Sequence, residues 1–227
     1  MRPAPRSTYA AGGAALVLAL LASGCGPGAQ PVEYPPQGVD GLTVPTPDPD
    51  PDDFVDEVDN PWLPLSPGAL WTYDAPDGGT VELAVTDARQ EVAGITTTVV
   101  AQQGDDGATT RLLVAQDTDG NVWLLGENGA DGSWEAGVDG AGAGLLMPAR
   151  PRAGDGFRAG PDRVLTVTAT DGTADVPAGR WEDVVVVEDS DGDESWFARG
   201  VGPVLLDVDD PGGRPAQLAG FGAAAAG

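Results

Sequence analysis

VELAVTDARQEVAGITTTVVAQQGDDGATTRLLVAQDTDGNVWLL, residues Val81 to Leu125, decides the fold. Val81, Leu83 and Val85 alternate with Glu82, Ala84 and Thr86, the period of two that sends successive side chains to opposite faces of a strand. Ile95 to Gln102, Thr109 to Gln116 and Asn121 to Leu125 follow as further β candidates. Between them, Ala93-Gly94, Asp106-Gly107 and Asp119-Gly120 offer glycine where a tight hairpin needs positive φ. The stretch therefore reads as an antiparallel meander.

The same grammar extends in both directions. Upstream lies Ala69 to Asp74 with an Asp77-Gly78 turn; downstream lie Val164 to Ala169, Trp181 to Glu188, Ser195 to Ala198 and Val204 to Val208. Asp171-Gly172 and Asp191-Gly192 read as two more hairpin turns. The unbroken run Val184 to Val187 suggests a strand covered on both faces. No window of eleven or more residues keeps a helical apolar period, so little helix is expected.

An internal echo joins the two regions. Residues 164–206 repeat the order of 81–125, strand, Gly turn, strand, hairpin, strand, with Gly179 set against Gly94. The expected fold class is all-β: a large curved antiparallel sheet or a partly open β-barrel, built from two similar meanders joined through the Gly-rich segment Glu127 to Arg158. The domain is expected over residues 61–220, long enough for a real core, with 221–227 as a flexible tail.

The amino-terminal region has another composition. Arg2 and Arg6 precede an apolar run from Ala10 to Leu21, then Ala22, Ser23, Gly24 and Cys25. That order is an export signal, and a run of about 12 apolar residues is shorter than the roughly 20 a membrane-spanning helix needs. LASGC resembles the lipobox of bacterial lipoproteins, with Ala22 where Leu is commonest. Cys25, the single cysteine of the chain, stands where lipidation requires a thiol. Residues 1–24 are thus expected to be removed, leaving Cys25 as a lipid anchor on the extracytoplasmic face of a membrane. Residues 25–60 form the tether: from Gly26 to Asn60 there are eight prolines and nine acidic residues, and Val44 to Asp53 alternates Pro with Asp. Such a segment buries too little to offset its ordering entropy and should stay extended.

Charge and missing residue types narrow the function classes. After loss of Arg2 and Arg6 the formal charge is 9 − 36 = −27, which disfavours nucleic acid and anionic surfaces as partners. All basic residues are arginine and there is no histidine. Ser-His-Asp and Cys-His catalysis, His-ligated zinc or haem, and lysine Schiff bases are excluded. No cofactor is expected.

Four stretches look familiar together: DNPWLPLSPGALWTY (Asp59 to Tyr73), GSWEAGVDGAGAGLLMPARPRAGDGFR (Gly132 to Arg158), VPAGRWEDV (Val176 to Val184) and WFARGVGPV (Trp196 to Val204). They resemble a family of secreted or lipid-anchored bacterial proteins of unknown function. The resemblance implies an all-β envelope module and carries no catalytic residues.

Candidate sites are few. Glu135 and Asp139 beside Trp134 provide the paired acids of a glycoside hydrolase, although a plug in which Trp134 and Met147 cover an open end of the sheet is the stronger expectation. Asp117, Asp119 and Asn121, and Asp189, Asp191 and Asp193, are oxygen-rich turns that calcium could use, yet Val122 and Glu194 occupy the position where an EF-hand loop needs Gly. Trp71, Tyr73, Trp123, Trp134, Trp181 and Trp196 could line an apolar pocket on a concave face, or simply fill the core. Arg150 and Arg152 could grip an anion, with pairing to nearby carboxylates the more ordinary use. The functional expectation is a non-enzymatic module binding an apolar ligand or an envelope protein, with a glycan hydrolase and an inert envelope spacer as alternatives.

Overall fold

The computed structural model describes residues 50–130, 132–161, 163–208 and 213–223. Cys25, the export signal and most of the tether lie outside the described residues. Fourteen strands follow one another: β1 (Phe54–Val55), β2 (Ala69–Asp74), β3 (Thr80–Val92), β4 (Ile95–Gly104), β5 (Thr109–Asp117), β6 (Val122–Gly129), β7 (Gly132–Glu135), β8 (Gly144–Met147), β9 (Gly156–Arg158), β10 (Val164–Val176), β11 (Gly179–Asp189), β12 (Glu194–Ala198), β13 (Gly202–Leu206) and β14 (Ala216–Ala223). A 3-10 turn at Pro51–Asp53 is the one helical element among the described residues.

All pairings are antiparallel, in the order β7-β6-β5-β4-β3-β2-β14-β13-β12-β11-β10-β9, with β1 added beside β5 and β8 beside β6. The sheet curves without closing into a barrel. Alternation explains the strands: Val81, Leu83 and Val85 are buried while Glu82 is exposed. Leu113 to Gln116 and Val184 to Val187 are buried at every position, so these strands are covered on both faces.

The echo is a strand-for-strand correspondence of β2–β7 with β9–β14. Val164 opens β10 84 positions after Thr80 opens β3, and both strands have 13 residues. Pairing of β3 with β4 slips after Val85 and resumes at Arg89; pairing of β10 with β11 is irregular after Val167, holds at Ala169↔Val186 and Gly172↔Val184, and is regular again from Thr173, 84 positions after Arg89. Each long hairpin bends at its bulge and closes four pairs later, at Val92↔Ile95 and Val176↔Gly179. This register sets Gly94 against Ala178, one residue short of the expected partner Gly179.

Three expectations need correction. Asp171-Gly172 is no hairpin turn, because it lies inside β10. Gly172 faces Val184 so closely that a Cβ there would stand 2.8 Å from a Val184 methyl, so the glycine serves strand approach at a bulge. The folded region begins before residue 61: Phe54 and Val55 pair with Asp117 and Gln116, and Val58 and Asn60 are buried. A Pro/Asp-rich composition hid these few anchoring side chains. At the other end, residues 221–223 continue β14 against β2, with Phe221 edge-on to Trp181. Their Gly and Ala content imitates a tail, while the backbone hydrogen bonds hold a strand.

The segment preceding β2 works as a strap across both repeats. The Asn60 Nδ2 donates to the carbonyls of Gly120 and Pro148 at 2.8 and 3.3 Å, and its Oδ1 accepts from the backbone N–H of Trp62 and Leu63. Gln116 Oε1 accepts from the N–H groups of Asp59 and Asn60, and its Nε2 donates to the Asp59 carboxylate. Farther along, Gly200 N–H donates to the Pro61 carbonyl, and the Arg199 guanidinium stands 5.2 Å over the Trp62 ring. Asp59, Asn60 and Trp62 of DNPW are therefore fasteners between the first repeat and the second.

Candidate functional site

Trp71 and Tyr73 point the same way from β2, as their spacing requires, but into side chains. They are 3% and 0% exposed. Their polar atoms are used by the second repeat: Trp71 Nε1 donates to the Val201 carbonyl at 2.8 Å and the Tyr73 hydroxyl to the Pro203 carbonyl at 2.9 Å. Those carbonyls are free because β13 pairs with β14 only at Leu205 and Leu206. Burial pushes the Tyr73 phenol far above its usual range.

The other aromatics are not gathered with them. Trp123 is buried and donates from Nε1 to the Asp117 carboxylate at 2.8 Å. Half-buried Trp196 donates to Glu194 on its own strand. Trp181 meets Phe221 at a ring separation of 6.3 Å. Trp134 is half-buried over Gly160. Of the six aromatics, Trp134 alone lines either of the two clefts described below.

The oxygen-rich turns are occupied by their own backbones. Asp117 accepts from the N–H and Nδ2 of Asn121 as well as from Trp123. Asp189 Oδ1 accepts from the N–H of Asp191 and of Asp193. Asp119 lies on the exposed tip of its turn. Among the described residues, no group of three or more Cys, Asp or Glu side chains converges to hold a metal.

Glu135 accepts from Gln90 Nε2 at 2.8 Å, while Asp139 sits exposed on the following turn with φ 50°. The two acids are not brought to a common cleft. Met147 is fully buried, and Trp134 lies against the β9–β10 connection. Arg150 and Arg152 are exposed and form no ion pair among the described residues, contrary to the pairing expected of them.

The repeat exposes a place that residue types alone did not mark. Its first junction, β2 of one repeat against β14 of the other, is sealed by pairs from Ala69↔Ala223 to Asp74↔Gln217. The corresponding junction would set β9 against β7, and there the sheet ends on both sides. What bridges this seam is side chains and close packing. The Arg163 guanidinium reaches Glu127 at 3.3 Å, the Trp134 indole covers Gly160, and Gly144 lies against the backbone of Ala159 and Gly160. A cleft of about 300 Å³ remains, walled by Glu127 and Trp134 on one side and by Gly160, Arg163, Asp189 and Asp191 on the other.

Glu127 and Trp134 are cross-strand partners, so their side chains share one face of the β6–β7 hairpin. Trp134 Nε1 has no hydrogen-bond partner among the described residues. Nothing in the sequence singles out Glu127 or Arg163, which are 36 positions apart and meet only through the repeat geometry. A second hollow, about 480 Å³, lies between the strap and the β3–β4 hairpin. Two of its polar groups are committed: Asp59 to Gln116, and Arg89 to the carbonyls of Thr86 and Ala88. The chain matches no protein-family model, no curated protein and no solved structure.

Proposed function

We propose that the protein is a lipid-anchored, extracytoplasmic binding module without catalytic activity, held to a membrane through Cys25 and engaging an envelope partner with its surface. The filled interior carries this reading. Trp71 and Tyr73 occupy the space an internal apolar ligand would need, with their polar atoms already bonded to the carbonyls of Val201 and Pro203. That favours partner recognition over ligand carriage. Glu135, bound to Gln90, gives the glycan-hydrolase reading no support.

The anchor is tested by Cys25→Ser in the native host. The unaltered protein should partition with membranes and incorporate labelled fatty acid, and the variant should do neither. A variant that stays membrane-bound and labelled would remove the anchor from the account.

A further inference from the structure

The unsealed seam has a free strand edge beside its cleft. Ala136 N–H donates to the Leu125 carbonyl, which fixes the alternation of the β6–β7 ladder. Trp134 opposite Glu127 is then a hydrogen-bonded pair, and Ser133 and Glu135 are not. The backbone groups of Ser133 and the N–H of Glu135 face outward and have no partner among the described residues. An unpaired edge of this kind is a template for an added strand.

Strand geometry dictates what an added strand would place in the cleft. A residue set beside Trp134 on the free side projects its side chain onto the face shared by Trp134 and Glu127. That side chain meets an indole and three carboxylates, Glu127, Asp189 and Asp191, against the single guanidinium of Arg163. The local surplus is negative, and an indole face with a nearby carboxylate suits a cation with a flat or alkyl body. The Arg163–Glu127 contact, with side chains 44% and 28% exposed, already shows one guanidinium seated at this wall.

We propose that the seam receives an extended segment of the partner protein, which adds to the edge of β7 and inserts an arginine or lysine side chain between Trp134, Glu127 and Asp191. This rests on the partner-binding reading given above. It names the surface and the chemistry of the partner: a flexible or edge-strand segment with a basic residue among small or β-branched neighbours.

The test uses the full chain as its Cys25→Ser variant, isotopically labelled, and two capped pentapeptides, Thr-Val-Arg-Val-Thr and the same peptide with citrulline for arginine. Amide and indole N–H resonances are followed during titration. The expected result is a saturable shift at residues 132–135 and at the Trp134 indole, with the citrulline peptide binding at least about tenfold more weakly, since a charge-assisted hydrogen bond contributes more than a neutral one. Glu127→Gln and Asp191→Asn should each weaken the arginine peptide several-fold while leaving resonances far from the seam in place. Equal binding of the two peptides, shifts centred elsewhere, or no saturable shift would overturn the proposal. Cross-linking of a native partner to another face would also overturn it while leaving partner binding intact.

Discussion

The Tyr73 hydroxyl of β2 donates to the carbonyl of Pro203 in β13, 2.9 Å away and 130 residues later in the chain. This bond ties the first strand of one repeat to the fifth strand of the other across a filled interior. Tyr73→Phe keeps the ring and strands the carbonyl, so it should cost about 1–2 kcal/mol near neutral pH, measured by urea unfolding.

The same residue gives the domain an alkaline limit. Its folded-state pKa is raised by burial above the unfolded value of about 10, so the unfolded chain loses the phenolic proton first. Stability from this group is intact below about pH 10 and falls as pH rises beyond it, by about 1.4 kcal/mol per pH unit. Unfolding curves from pH 8 to 11.5 should show that decline, and Tyr73→Phe should flatten it. An unchanged slope in the variant would place the cause elsewhere.

Asn60 is the densest fastener of the strap, with both carboxamide atoms bonded and 1% exposure. Asn60→Ala should cost about 2–4 kcal/mol, because it leaves buried backbone donors and acceptors unpaired. Asn60→Asp should be comparably harmful at neutral pH, since a carboxylate cannot donate to the Gly120 and Pro148 carbonyls. Melting temperatures of the three proteins decide this; an Asp variant as stable as the parent would contradict the assignment.

Glycine at two seam positions is a matter of space. A Cβ on Gly144 would collide with the backbone of Ala159 and Gly160, and one on Gly160, at φ +128°, would reach 3.0 Å from the Trp134 ring. Gly144→Ala should destabilise by about 3 kcal/mol. Gly160→Ala should displace the indole and red-shift its emission. Full stability in both variants would mean the seam is looser than described.

The β3–β4 turn carries a small, correctable strain. Ala93 and Gly94 both have positive φ, 51° and 82°, as a two-residue hairpin of this hand demands. Only the second is a glycine. Ala93→Gly relieves the first at some cost in unfolded-state entropy, for a net gain of about 0.5 kcal/mol. A loss of stability instead would argue against this turn.

What could be read from the residues was mostly local. Val81, Leu83 and Val85 announce a strand because the period of two is intrinsic to the backbone, and Asp106-Gly107 announces a turn because few residues accept positive φ. Asp171-Gly172 misleads for the same reason: glycine also serves where strands crowd at a bulge, and Val184 lies far along the chain. β7, β8 and β9 have three or four residues each, too few to show a period among glycines. The face shared by Trp71 and Tyr73 was legible; whether it looked into a pocket depended on Val201 and Pro203. Glu127 and Arg163 carried no signal, since their meeting is a product of the second repeat curling back toward the first.

On the proposed function, the domain recognises a partner with its outside and carries nothing within. Native mass spectrometry of the Cys25→Ser protein, purified from its own host after cross-linking in cells, tests it most directly. The expected species is the domain alone or joined to a protein. A stoichiometric apolar small molecule retained by the domain would contradict it, because Trp71 and Tyr73 would have to leave the interior to make room.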